Sequence, residues 1–297
     1  MIKNFNNLKE SGIRYGGHAG NKLGVVIDGE NWFLKFPKST KDLLRKVDIS
    51  YTTSPLSEYI GSQIYKSLGI PVHETMLGIK DEKLVVACKD FRKNQTDYRL
   101  DDYNSIKNDY VEGLEKKLES TSSSNPHAIN IDETIIIMNN NPLFNRVAGL
   151  KDRFWDMFIV DALIGNNDRN NGNWGVIVDN RTNETKIAPV FDNGASFNTK
   201  SSDENIEKIL SDKEKFENSA YHSRICAFSI NDKIINPFKY IESLENDECN
   251  KALLRIVPKI DLSKIYNIIN DIPNESEGIK VISDIRKKYY FECIKYR

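Results

Sequence analysis

Gly165-Asn166-Asn167-Asp168-Arg169-Asn170-Asn171-Gly172-Asn173-Trp174 and, after a short hairpin, Ala188-Pro189-Val190-Phe191-Asp192-Asn193-Gly194 are the stretches on which the reading of this chain turns. Loops rich in Asn, Asp and Gly usually just reverse the chain. Here the composition carries more. An amide, Asn173, stands five positions after a carboxylate, Asp168, and a second carboxylate, Asp192, follows twenty-four positions after the first. Moving a phosphoryl group onto a hydroxyl needs one group that orients or deprotonates the hydroxyl, and oxygen ligands for Mg²⁺. Asp168 suits the first task; Asn173 and Asp192 suit the second.

Working upstream, Asn145 to Ile164 is apolar at helical spacing, and Gly165 is placed to end that helix. Asp161 lies on it and could cap or brace the loop that follows, but reads first as a plain structural residue. Near the N-terminus Ile13-Arg14-Tyr15 reads as a short strand, followed by the glycine cluster Gly16, Gly17 and Gly20. Leu23–Ile27 and Trp32–Phe36 read as strands joined by the hairpin signal Asp28-Gly29. Lys35 lies in the return strand. Ser54, as N-cap, and Pro55 open a helix to about Leu68 that carries Glu58 and ends at Gly69. Strands follow near Glu74–Ile79 and Lys83–Ala87. Singly, each glycine, lysine or glutamate here reads as an ordinary surface residue. Their order is what counts: glycine loop, strand lysine, helix glutamate, apolar strand into a linker, base loop, metal aspartate.

Between Asp97 and Asn130 the chain turns polar, including Thr121 to Pro126, and reads as a loosely structured insertion. After Ser202 the pattern is helical, with candidates at 205–210, 237–244, 247–257, 262–269 and 277–296. The expected fold is therefore α+β and bilobal, kinase-like, with a strand-rich N-lobe over 1–95 and a mostly helical C-lobe over 96–297.

The 297 residues hold 42 Lys+Arg against 43 Asp+Glu, a net charge of -1, so nothing in the totals attracts nucleic acid or an acidic membrane. Four cysteines, Cys88, Cys226, Cys249 and Cys293, form no C-x-x-C pair, which argues against a zinc or disulfide framework and for a reducing compartment. The histidines His18, His73, His127 and His222 lack metal-ligand spacing and read as surface or structural. Apolar runs such as 135–138 are far short of the ~20 residues a bilayer span needs, and residues 1–10 lack a signal-peptide core. The expected location is cytoplasmic, or exported without a cleaved signal, and the expected state is a monomer.

These residues resemble the HipA-like serine/threonine kinases, whose pattern is roughly N-T-D-R-H-x-x-N followed by P-x-x-D-x-G. Ser57-Glu58 with Ser67-Leu68-Gly69-Ile70-Pro71-Val72 is similar to another segment of that family. The resemblance implies ATP and Mg²⁺ as cofactors and a protein Ser/Thr hydroxyl as acceptor. Asp168 would be the catalytic base, Asn173 and Asp192 metal ligands, Lys35 a phosphate binder paired with Glu58. Gly16, Gly17 and Gly20 would lie over the phosphates. Val86, Ala87, Cys88 and Lys89 would form the linker that meets adenine. Autophosphorylation is expected near the glycine loop or over Thr199 to Ser202. Asn170 stands where the family has His. The loop also resembles that of type II phosphatidylinositol 4-kinases, through Trp174 and Asn193, which makes a lipid or small-molecule kinase the alternative.

Overall fold

Asp28 and Gly29 both adopt positive φ, 50° and 80°, and turn one strand back on the next as an Asp-Gly hairpin should. The structure is a computed structural model and describes residues 2–16, 22–41, 47, 49–92, 94–109, 118, 128–223 and 225–297. In chain order its elements begin with strands β1 (Lys3–Asn4), β2 (Lys22–Ile27) and β3 (Glu30–Lys35), helix α1 (Ser54–Ser67), and strands β4 (Thr75–Lys80) and β5 (Lys83–Lys89). Next come β6 (Tyr98–Asp102), α2 (Tyr103–Asn108), β7 (Ile129–Asn130), α3 (Ile131–Asn140), α4 (Pro142–Arg146), α5 (Leu150–Ile164), β8 (Gly175–Asp179) and β9 (Thr185–Ile187). The remainder comprises α6 (Asp203–Leu210), α7 (Lys213–Glu217), β10 (Phe228–Ile230), β11 (Lys233–Ile234), α8 (Pro237–Ser243), α9 (Asp247–Ile256), α10 (Leu262–Asn270), β12 (Glu275–Ser276), β13 (Ile279–Lys280) and α11 (Asp284–Tyr296).

Backbone proximity sorts the chain into two units. The first holds Met1–Asp90, Asn193–Ser223 and Asp261–Arg297; the second holds Phe91–Asp192 and Arg224–Ile260. Residues 193–223 and 261–297, expected with the C-terminal lobe, thus group with the N-terminal sheet. The first unit is built on a five-stranded sheet in the order β1-β4-β5-β3-β2, all antiparallel except that β1 runs parallel to β4. Alternation along the strands sends Val25, Trp32, Leu34, Val85 and Ala87 into one core with Phe5. Directly paired residues share a face, so Lys35 with Val86 and Phe33 with Cys88 point to the other side. Helix α1 packs against β4 and β5 and buries Leu56, Ile60 and Ile64.

Several expectations shift. Ile13 to Tyr15 is not a strand: Glu10 bridges Val25, and Ser11 donates to the Gly24 carbonyl, so the chain leaves β2 one turn earlier. The N-cap of α1 is Thr53 rather than Ser54, and the Thr53 amide donates to the Thr199 carbonyl. The Thr53 side chain makes no cap bond to the helix; its hydroxyl meets Tyr290 Oη at 3.2 Å instead. Val86 to Lys89 are not a linker but the end of β5, paired with β3 along one side and, through Val86 to Cys88, with β4 along the other. The chain leaves the sheet only at Asp90 and Phe91. The helix expected from Glu277 begins at Asp284, because Glu277 and Gly278 take positive φ in a hairpin turn between β12 and β13.

In the second unit α5 is buried along almost its whole length, from Leu150 and Phe154 to Ile164. It starts later than expected, since Gly149 at φ 77° separates it from α4. Residues 98–108, expected to be loose, form β6 and α2, and β6 pairs along β8 with Leu100 opposite Ile177. The backbone needs of β8, which follows the Asp168 loop, are what order them. Thr121 to Pro126, like Gly17, His18, Gly20 and His127, lie outside the described residues. Trp174 stacks on Tyr103 with centroids 4.4 Å apart and lies 5.4 Å from Phe154, a packed floor beneath the loop. Among the described residues no helix is long and apolar enough to cross a membrane.

Gly175 opens β8 against β6 so closely that an added Cβ would lie 2.2 Å from the Asp101 carbonyl oxygen. Backbone cannot yield as a side chain does. Gly175→Ala should therefore lose about 1–3 kcal/mol of stability, measured by urea unfolding; an unchanged midpoint would show that β6 is free to shift.

Candidate active site

In the second unit the Asp168 loop is held by one guanidinium. Arg169 is fully buried, and its Nε and Nη2 donate to Asp161 at 2.7 and 3.1 Å. Its Nη1 donates to the carbonyl of Asn173 at 2.9 Å and to the carbonyl of Phe191. Asp161 also accepts from the Asn166 amide at 3.2 Å. Helix α5 places Asp161 in its last turn, and Gly165 at φ 66° turns the chain so that the loop folds back over it. The loop closes on itself as well: the Asp168 carbonyl accepts from the Asn170 amide at 2.9 Å and from Asn173 Nδ2 at 2.8 Å. None of these bonds uses the Asp168 carboxylate, which is half-buried.

The Asn173 amide thus spends its nitrogen on backbone and presents its oxygen, a hard acceptor. Asp192, half-buried, offers carboxylate oxygens from a backbone at φ 62°. That region is uncommon for a residue with a side chain. An amide oxygen and a carboxylate are the donor chemistry Mg²⁺ takes, so these residues fit that ion.

In the first unit the centre is Glu58, fully buried on α1. Its Oε2 accepts from Lys35 Nζ at 2.6 Å. Its Oε1 accepts from His73 Nε2 at 2.9 Å and from the Asn193 backbone amide at 3.0 Å. Burial alone would push the Glu58 carboxyl up; the Lys35 charge and the His73 hydrogen bond outweigh it and hold the group well below the usual carboxylate range. Asn193 Nδ2 donates to Ser62 Oγ and Ser57 Oγ to the Ser196 carbonyl, so residues 193–196 lie along α1. Further along, Arg286 donates to the Ser201 carbonyl at 2.7 Å and pairs with Asp203, while Phe197 packs on Tyr290.

The structure therefore brings Lys35 to Glu58 and links Asn173 to Asp168. Gly16 is exposed, its carbonyl accepting from Lys22. Thr199, Ser201 and Ser202, expected as acceptors, are buried, and Ser202 caps α6. Arg169, Asp161, His73 and Asn193 stand outside the site residues expected from the motifs. The Asp161–Arg169 spacing, eight residues across a helix end, carries no local signature. His73 sits beyond Gly69, whose φ of 76° turns the chain back along α1. Its ring nitrogen, the Glu58 carboxylate and Cys88 Sγ all lie within 4.8 Å of one another.

No protein-family model matches the chain. It is 38% identical over 264 residues to the serine/threonine-protein kinase CtkA of Helicobacter pylori, covering 89% of this chain and 77% of that one. The crystal structure of a Helicobacter pylori proinflammatory kinase CtkA matches with a TM-score of 0.84 at 32% identity, over 99% of this chain and 93% of that one. A HipA–HipB–operator complex of Shewanella oneidensis matches with a TM-score of 0.49 at 14% identity, over 97% and 67%.

Asp161→Ala leaves a buried guanidinium without its carboxylate, so it should cost about 3–5 kcal/mol in urea unfolding. The double substitution Asp161→Leu with Arg169→Met should recover most of that loss without restoring the loop. Glu58 gives a second test. A carboxyl depressed in the folded state adds stability that is fully present above its ordinary value of 4.5 and is lost as pH falls through its folded value. The stability gap between the wild type and Glu58→Gln should hold from pH 7 to about 5 and shrink below about 4.5. A gap constant down to pH 3 would contradict the pairing.

Proposed function

Because the chain belongs to the serine/threonine-protein kinase family that includes CtkA, we propose that it moves the γ-phosphate of ATP, with Mg²⁺, onto a serine or threonine hydroxyl of a protein. The observation that carries the site assignment is the ion pair of Lys35 with the buried Glu58, whose carboxylate also holds the amide of Asn193, next to Asp192. A lysine fixed in this way presents a positive charge that pairs phosphate oxygens. Asp168 takes the proton from the attacking hydroxyl, a role its carboxylate suits because the loop is closed by other atoms. Asn173 Oδ1 and Asp192 are the residues that would hold Mg²⁺, which would supply positive charge to offset that of the phosphates. Gly16, with Gly17 and Gly20, is assigned to the phosphate-covering turn. The adenine contact, expected at Val86 to Lys89, is assigned instead to 91–92, since the strand's backbone groups are engaged in the ladder and the Asp90 amide still donates to the Asn31 carbonyl. Residues 1–95 are taken as the N-lobe and 96–297 as the stretch that supplies the catalytic loop and the metal aspartate, with 193–223 and 261–297 grouped with the N-terminal sheet. Any autophosphorylation is assigned away from 199–202, whose hydroxyls are buried. The enzyme is taken to act as a monomer, with no nucleic-acid partner.

The test is radiolabelled MgATP with the purified chain, a panel of protein acceptors and vesicles containing phosphatidylinositol. Label should appear on protein Ser or Thr and not on lipid; label on lipid alone would overturn the acceptor class. Asp168→Asn should slow transfer by about 10²–10⁴-fold while leaving ATP affinity within about twofold of wild type, by calorimetry. Full-rate transfer would remove Asp168 from its role.

A further inference from the structure

His73 is wired on one side only. Its side chain is 1% exposed, and Nε2 lies 2.9 Å from Glu58 Oε1. An ionised carboxylate can only accept, so Nε2 carries the proton. The opposite nitrogen, Nδ1, is buried and makes no hydrogen bond among the described residues. A buried ring that leaves one polar atom unmade at a cost of about 1–3 kcal/mol is a poor choice for stability alone. An aliphatic side chain would fill the same space without that cost. The ring's one polar service is a single donor aimed at Glu58.

That donor decides which way the carboxylate faces. Glu58 has two duties at right angles in function: Oε2 holds the Lys35 ammonium, and Oε1 holds the Asn193 amide that follows Asp192. The terminal torsion of a glutamate is soft and roughly two-fold. The carboxylate takes hydrogen bonds from Lys35, His73 and the Asn193 amide; without His73 it loses one of the two donors on Oε1, and the plane is held less firmly. We propose that His73 is a positioning residue of the phosphotransferase site: its Nε2–H fixes the rotation of the Glu58 carboxylate, so that one oxygen holds Lys35 and the other the Asn193 peptide. The inference rests on the kinase assignment above.

Cys88 Sγ belongs to the same triangle as Glu58 and His73, and the three donor types would suit a thiophilic cation such as Zn²⁺. Such an ion would have to displace the Lys35 ammonium from Glu58, which disfavours it; the experiment includes that outcome.

Two variants of the full chain separate the possibilities. His73→Leu keeps the bulk and loses the donor. His73→Gln keeps an N–H at a reach close to that of Nε2. With MgATP and a protein acceptor, His73→Leu should lower kcat by about 10–100-fold, the scale of an ångström-level misplacement, and raise the KM for ATP. Its thermal midpoint should be no lower than that of wild type. His73→Gln should stay within about threefold of wild type in both constants. Wild-type kinetics in His73→Leu, or equal loss in both variants, would overturn the proposal. A readout independent of turnover is the acetylation rate of Lys35, followed by mass spectrometry. It should rise in His73→Leu and not in His73→Gln, even if the wild type transferred no phosphate and the functional reading itself had failed. One equivalent of Zn²⁺ retained by dialysed wild type, and lost in Cys88→Ser, would overturn the proposal in favour of a metal site.

Discussion

A guanidinium shut away from water must find acceptors for its N–H groups or the fold does not form. Arg169 finds them in the Asp161 carboxylate and in the carbonyls of Asn173 and Phe191. Those two carbonyls belong to stretches almost twenty residues apart, the loop that carries Asp168 and the strand end that leads into Asp192. One buried side chain therefore sets the backbone of both. Because the donors of a guanidinium are planar and rigidly spaced, the setting is geometric as well as energetic. A lysine could supply charge at the same place but not the fork.

The same device recurs two residues further along the chain. The Phe191 carbonyl is taken by Arg169, and the Asn193 amide by Glu58. Asp192 lies between them at φ 62°, a backbone state that costs of order 1–3 kcal/mol and persists only where its surroundings over-determine it. Here the over-determination can be named atom by atom. Beyond Asn193 the chain continues along α1 through Ser57 and Ser196, then to Thr53 and Arg286 by way of the Thr199 and Ser201 carbonyls. In kinases that switch by phosphorylation, an arginine commonly awaits the added phosphate. Arg286 already has an anionic partner in Asp203, so residues 193–203 hold their course without one.

Much of this was legible in the sequence. Asp28-Gly29, Gly69 and Gly165 act as chain reversals where their residue types say they should, because positive φ leaves a compositional mark. The strand positions of Lys35 and the helical position of Glu58 followed from periodicity, and their pairing from the order of elements. What was not legible was tertiary in origin. The hydroxyl of Thr53 turns to Tyr290 rather than to its own helix; residues 98–108 looked polar and loose, yet are recruited by the edge of β8. Val86 to Lys89 ended an apolar run that read as a linker, and only the ladders on both sides show that the strand continues. Asp161, Arg169 and His73 are ordinary residues in ordinary company along the chain, and their roles exist only once a helix end and two loops close around them.

Stability does not explain why such groups are buried. Replacing a buried ion pair with packed apolar side chains is often neutral or favourable by about 1–4 kcal/mol, so a chain selected for stability alone would have little reason to keep Asp161 with Arg169 or Glu58 with Lys35. What apolar packing cannot do is fix the direction of a carboxylate or a carbonyl. In a reaction where the protein contributes placement and charge rather than covalent chemistry, an error of one ångström costs about a hundredfold in rate. That is about 2.7 kcal/mol, the same size as the stability such pairs forgo. The hubs at Arg169 and Glu58 fix the peptide groups flanking Asp192, while the core of Phe5, Val25, Trp32, Leu34, Val85 and Ala87 carries no ionised group: around Asp192, charge is buried where direction has to be specified.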